Sequence, residues 1–120
     1  MSTVMYSFRA ADRATLDRQI AAARKIAADN PAVGCGESIE FQVFETSAGL
    51  VFRVLEAGYG LRNRMWDQPD LFPTCNYDDR SDMPDTDLPN AAISAEVDGL
   101  IDAGEHEIIQ IKQEADHAAR

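Results

Sequence analysis

Basic residues are scarce in this sequence. Its 120 residues include 11 lysines and arginines against 21 aspartates and glutamates, so the formal net charge at pH 7 is −10. A surface with this charge repels the phosphates of nucleic acids and the anionic headgroups of membranes. We therefore expect no direct binding to nucleic acid and none to a membrane surface.

Long apolar runs and paired cysteines are also missing. No run approaches the roughly 20 apolar residues that span a bilayer. The first residues lack the basic start and apolar stretch of a secretory signal. The only two cysteines, Cys35 and Cys75, do not form a CxxC pair. We expect a cytoplasmic protein in which both thiols are reduced.

No catalytic signature is present either. The sequence contains no GxSxG, HExxH or Walker motif. The glycines on either side of Cys35 suggest a thiol open to a ligand, but a turn with a small buried cysteine is the preferred interpretation. A cysteine nucleophile also needs a nearby base, and both histidines are close to the C-terminus. Residues 78–87 contain five aspartates without the turn glycine of an EF-hand loop. The sequence therefore predicts no enzyme activity, no metal site and no cofactor.

Alternating patterns predict three strands. Apolar and polar residues alternate over 3–9, 37–46 and 50–56, which is typical of strands with one buried face. The last two are separated by a short turn that ends at Gly49, so they form a hairpin. A further short strand over 61–66 would continue the sheet.

Two segments have helical periodicity. The first is an alanine-rich helix over 13–29, with Asp12 as N-cap and Pro31 beyond its end. The second begins near Asn90 and is terminated by Gly104. Its apolar stripe consists of Ile93, Val97, Leu100 and Ile101.

Residues 107–112 are open to two interpretations. Three isoleucines in this run favour a strand, whereas a helix running on into 113–120 competes with it. With a strand here, the element order is β-α-β-β-α-β, which is that of the ferredoxin-like fold, a two-layer α+β sandwich. We therefore predict one α+β domain, 1–120, with an extended segment, 58–89, inserted after the third strand.

The segment 58–89 is the most unusual part of the chain. It contains four of the five prolines and four of the nine aromatic residues. Residues 67–120 carry fourteen acidic and three basic side chains, and seven of the aspartates lie within 67–87. A basic partner, a cation or solvent must offset their mutual repulsion. The segment also has the composition of a protein interface, through Tyr59, Arg62, Arg64, Trp66, Phe72 and Tyr77.

These features predict a non-enzymatic acidic protein that binds a basic protein surface and inhibits a nucleic-acid-binding protein. Anti-CRISPR proteins, DNA mimics and immunity proteins are similar to it in charge and size, but no motif places this chain among them. The residues expected to contact the partner are the aromatic and acidic side chains of the segment: Trp66, Asp67, Asp70, Phe72, Tyr77, Asp78, Asp79, Asp82, Asp85 and Asp87.

Other functions are compatible with the same patterns. A ferredoxin-like domain can bind a small molecule or catalyse a reaction, with Cys35, Arg53 or Arg64 as polar contacts. It can also be a structural module whose open sheet face pairs with a second copy to form a homodimer. Trp66 and Phe72 have a structural alternative as well, in which they anchor the segment to the domain core.

Overall fold

The computed structural model describes residues 3–47, 49–72, 74–75 and 90–113. The predictions for Tyr77, Asp78, Asp79, Asp82, Asp85 and Asp87 lie outside the described residues. In chain order the elements are β1 (Thr3–Ala10), α1 (Arg13–Asp29), β2 (Ile39–Thr46), β3 (Gly49–Ala57), α2 (Gly60–Trp66), β4 (Thr74–Cys75), α3 (Asn90–Ala103) and β5 (Glu107–Lys112). The chain is thus an α+β protein, with three α-helices and one antiparallel sheet in its described part.

The sheet has the strand order β4-β1-β3-β2-β5. β3 pairs with the whole length of β1 and, through the predicted hairpin, with β2. The two-residue β4 lies at the outer edge of β1, and β5 lies at the outer edge of β2. The predicted strands β1, β2 and β3 are confirmed, and residues 107–112 form a strand rather than a helix.

The main hydrophobic core lies between one face of the sheet and the helices α1 and α2. The predicted helix 13–29 is confirmed, and the Asp12 side chain caps it by accepting a 2.8 Å hydrogen bond from the Thr15 backbone N–H. The rings of Phe41 and Phe52 stack with their centroids 4.5 Å apart. The chief buried residues of this core are Tyr6, Phe8, Leu16, Ile20, Phe41, Phe52, Val54, Leu61, Met65 and Phe72.

A smaller core lies on the opposite face of the sheet, under α3. Val97 of α3 packs on Phe44 and Val51, which point away from the main core. Glu96 joins the helix to the hairpin, because its carboxylate accepts hydrogen bonds of 2.7 and 2.8 Å from the backbone N–H and the hydroxyl of Ser47. Helices therefore cover both faces, whereas a two-layer sandwich has them on one.

The end of α3 confirms the predicted role of Gly104. This residue has a φ of +71°, a conformation that costs glycine little because it has no Cβ atom. Its N–H donates to the carbonyl of Ile101 (3.0 Å), and the N–H of Glu105 donates to that of Leu100 (2.8 Å). These two hydrogen bonds form a Schellman motif, which ends the helix and turns the chain into β5.

The strand predicted over 61–66 is wrong, because these residues form most of α2. Leu61 and Met65 are one helical turn apart and both are completely buried in the main core. No capping side chain lies directly before the helix, and Tyr59 at the N-cap makes no side-chain capping hydrogen bond. The side chain that does bind this helix end comes from β3.

Candidate functional site

An arginine lies between two aromatic rings on the outer side of α2. The guanidinium carbon of Arg62 is 3.7 Å from the ring centroid of Trp66 and 5.0 Å from that of Tyr59. Spacings of three and four residues place these side chains side by side on one helical surface. A cation–π contact contributes about 0.5–1 kcal/mol at an exposed site and more when it is desolvated. We call Tyr59, Arg62 and Trp66 the α2 cluster.

A buried carboxylate holds the start of α2 against the sheet. Glu56, near the end of β3, has no exposed surface. It accepts hydrogen bonds from the Tyr6 hydroxyl (2.7 Å), the Leu61 N–H (2.9 Å) and the Arg62 N–H (3.4 Å). A negative charge is favourable at these backbone N–H groups because they have no partner within the helix. Glu56 therefore determines where the α2 cluster lies on the molecule.

The phenol of Tyr6 is held in its neutral form by this arrangement. Burial, the charge of Glu56 and the hydrogen bond to Glu56 together raise the pKa of Tyr6 well above its ordinary value. In the unfolded chain this phenol ionises near its ordinary pKa of about 10. Above that pH the unfolded state loses a proton that the folded state retains, so the free energy of unfolding falls as the pH rises.

We expect Tyr6→Phe to remove this contribution to the alkaline loss of stability. Urea unfolding of both proteins from about pH 8 to about pH 11 would measure it. The stability of the wild type should fall more steeply over this range than that of Tyr6→Phe. Equal pH dependence in the two proteins would show that Tyr6 titrates alike in both states.

Phe72 is not available to a partner, which corrects the prediction for this residue. Its side chain has no exposed surface, and its ring lies 5.7 Å from that of Phe8. The buried amide of Gln19 in α1 also holds this part of the chain, by donating a 2.7 Å hydrogen bond to the carbonyl of Leu71. Phe72 therefore anchors the segment to the core, as the structural alternative predicts.

One of the predicted contact residues belongs to the α2 cluster, and two others follow it in the sequence. Trp66 belongs to it, half-buried, with one part of its ring against the main core and Arg62 over its face. Asp67 and Asp70 follow directly and are exposed. The sequence identified Arg62 and Tyr59 only by residue types that are common in interfaces. The spacing of Tyr59, Arg62 and Trp66 fits one side of a helix, but residues 61–66 were predicted to form a strand.

The residues suggested for a small-molecule site are not brought into one place. Arg53 points to the α3 side of the sheet and donates hydrogen bonds of 3.1 and 3.0 Å to the side-chain oxygen of Gln42. Arg64 lies on α2, on the other side, and donates to the carbonyl of Gly60 and the side chain of Asn30. Cys35 lies in a turn with a left-handed φ of 54° and is exposed, which corrects the preferred interpretation of a buried cysteine.

A cavity of about 320 Å³ lies at the hairpin end of the sheet. Arg13 and Glu107 close one side with a bidentate ion pair of 2.7 and 3.1 Å, formed across 94 residues of sequence. The hydrogen bond from Arg13 lowers the pKa of Glu107 below its ordinary value. Nothing in the local sequence signals this cavity, because its lining residues come from three separate parts of the chain, at 13, 43–50 and 100–107.

No family model matches this chain. No curated protein and no solved structure matches it either. Within the described ranges, no three histidine, cysteine, aspartate or glutamate side chains are grouped so that they could hold a metal ion. Among the helices in those ranges, none combines the length and apolar character needed to cross a bilayer.

Proposed function

We propose that this chain is a non-enzymatic acidic protein that binds a basic protein surface through the outer side of α2. The observation that carries the proposal is the stack of Arg62 on Trp66, with Tyr59 half-exposed beside it. Tryptophan, tyrosine and arginine are the residues that contribute most to binding free energy in protein interfaces. Asp67, directly after α2, and Asp70, in the turn that follows, are exposed and supply charge complementary to a basic partner.

The α2 cluster is suited to binding because it is already ordered. Glu56 holds the backbone of Arg62, and the guanidinium of Arg62 holds the two rings. Side chains that are immobilised before binding lose little conformational entropy when a partner covers them. The positive charge of Arg62 lies over its own aromatic rings, so it opposes a basic partner less than a fully solvated arginine would.

The net charge of −10 favours a partner that normally binds nucleic acid, because such a surface is positive and attracts an acidic protein at long range. The chain would act by occupying that surface in the cytoplasm. Its scaffold is of the ferredoxin-like type with two modifications. The order β1-β3-β2 and the α1 connection support this type, while β5 at the edge of β2 and α3 on the second face are the modifications.

Replacing Trp66 with alanine should weaken binding to the partner about tenfold or more, which is the effect of losing an interface hot spot. The immobilised chain would first be used to capture partners from a lysate. A basic protein should be retained at about 0.1 M salt and released near about 1 M, where the Debye length falls to about 3 Å. The matched control for Trp66→Ala is Ile108→Ala, which removes a 53% exposed apolar side chain from β5.

A charge variant distinguishes the contribution of the two aspartates beside α2 from the attraction that the overall net charge exerts on a basic partner. Asp67→Asn with Asp70→Asn should slow association with that partner more than Asp98→Asn with Asp102→Asn, which removes the same charge from the outside of α3. No partner at either salt concentration, or equal affinities for Trp66→Ala and Ile108→Ala, would refute the proposal. A stable dimer would instead support the structural-module function, and thermal stabilisation by a metabolite would support small-molecule binding.

A further inference from the structure

The helix α3 packs on the sheet through a small apolar contact. Over residues 95–103, Val97 is the one buried residue, and it packs on Phe44 and Val51. Leu100 and Ile101 are half-buried beside this contact, and Leu100 also lines the cavity at the hairpin end. A side chain that faces a cavity lacks packing partners on that side. The apolar part of the docking therefore depends mainly on Val97 in the described part of the helix.

The sequence of α3 opposes helix formation. Gly99 lies inside the helix, and a Cβ atom there would meet no described atom within 4 Å. Glycine in a helix interior is less favourable than alanine. Asp98 and Asp102 are exposed and one turn apart, so their like charges repel, and both lie towards the negative end of the helix macrodipole. Isolated helices of this length are only marginally stable in water, so α3 depends on its contacts with the sheet.

A pair of polar residues supplies a second contact between α3 and the sheet. The Glu96 carboxylate accepts hydrogen bonds from the backbone N–H of Ser47 (2.7 Å) and from its hydroxyl (2.8 Å). Hydrogen bonds to an ionised carboxylate are stronger than those between neutral groups. We call Ser47 and Glu96 the α3 latch. The pairing of β5 with β2 begins at Glu107, beyond the end of the helix, so release of the latch leaves this pairing in place.

We propose that α3 is a lid that opens as a unit while the sheet, α1 and α2 stay folded, and that the α3 latch determines how often it opens. Elements with few buried apolar contacts open at a lower free energy than the whole fold. Opening uncovers Phe44 and Val51, which form an apolar patch on the face of the sheet opposite to α2. This inference is independent of the proposed function, which uses the α2 cluster.

Hydrogen exchange of backbone amides in the full chain, followed by NMR, tests whether the opening is local. The amides of Val97 and Leu100 should exchange about tenfold or more faster than those of Phe52 and Val54 in the central strand β3, after correction for intrinsic rates. Low concentrations of urea should accelerate exchange in β3 steeply and in α3 only slightly. The reason is that the effect of urea on an opening reaction increases with the surface that the reaction exposes.

Three variants test the role of the α3 latch. Glu96→Ala should accelerate exchange in α3 about fivefold or more, because both latch hydrogen bonds are lost. Ser47→Ala keeps the backbone N–H donor and should have a smaller effect in the same direction. Asp98→Ala is the matched control, since it also replaces a carboxylate of α3 with alanine. It removes the repulsion with Asp102 and raises helix propensity, so it should slow exchange in α3 about twofold or more.

The two α3 carboxylates are therefore expected to have opposite effects. Equal exchange rates in α3 and β3, with the same dependence on urea, would overturn the lid. An unchanged or slower rate in Glu96→Ala, or a faster rate in Asp98→Ala, would overturn the latch. If Glu96→Ala failed to fold, Ser47→Ala would decide the same question, because it removes only one hydroxyl from an exposed turn.

Discussion

Replacing Phe8 with alanine is expected to lower the free energy of unfolding by about 3–5 kcal/mol, as for other large aromatic residues removed from a core. Phe8 lies in β1, between β3 and β4, and has no exposed surface. Its ring is within 6 Å, centroid to centroid, of the rings of Tyr6, Phe52 and Phe72. The alanine variant loses the transfer free energy of the ring and leaves a cavity that three large neighbours cannot fill without moving.

Urea unfolding followed by circular dichroism would measure this loss, with Met5→Ala as the matched control. Met5 lies on the same strand but points to the other face and is 48% exposed. Its truncation should cost less than about 1 kcal/mol, because its side chain is only half removed from water on folding. A cost for Phe8→Ala as small as that for Met5→Ala would contradict the position of Phe8 at the centre of the core.

The second large effect is expected at Glu56. Glu56→Ala should lower the free energy of unfolding by about 2–4 kcal/mol, since the Tyr6 hydroxyl and two backbone N–H groups lose their acceptor. Each buried donor left without a partner costs about 1–3 kcal/mol. The loss should fall on α2 first, so Trp66, the only tryptophan in the chain, should report it. We expect its fluorescence emission to shift to longer wavelength before the sheet unfolds.

Glu40 provides the matched control for Glu56. It lies on the neighbouring strand β2 and is half-buried, and it accepts only longer hydrogen bonds of 3.3 and 3.5 Å from two glutamine side chains. Glu40→Ala should cost less than about 1 kcal/mol and should not change the emission of Trp66. Glu56→Gln should fall between the two, because one amide oxygen can still accept while the amide nitrogen faces donors. If Glu56→Ala left the emission unchanged, Glu56 would not position the α2 cluster.

Local sequence was sufficient for the elements that carry their own signals. Asp12 and Pro31 mark the two ends of α1, and alternation on both sides of the turn at Gly49 identifies the hairpin. A glycine at the end of α3 supplied the left-handed residue that a Schellman motif requires. These signals concern backbone conformation and the alternation of buried and exposed side chains, which depend on near neighbours in the chain.

Tertiary structure decided the features that bear on function. The cap of α2 is a glutamate on β3, so no capping residue directly before the helix marks its start in the sequence. Phe72 and Trp66 are both aromatic residues of the segment 58–89. Phe72 faces the ring of Phe8 and is buried, whereas Trp66 lies at the surface under Arg62. The cavity at the hairpin end depends on a pair 94 residues apart in sequence. Sequence determined the elements that have their own local pattern, whereas burial, capping and pairing were decided by what packs opposite each residue.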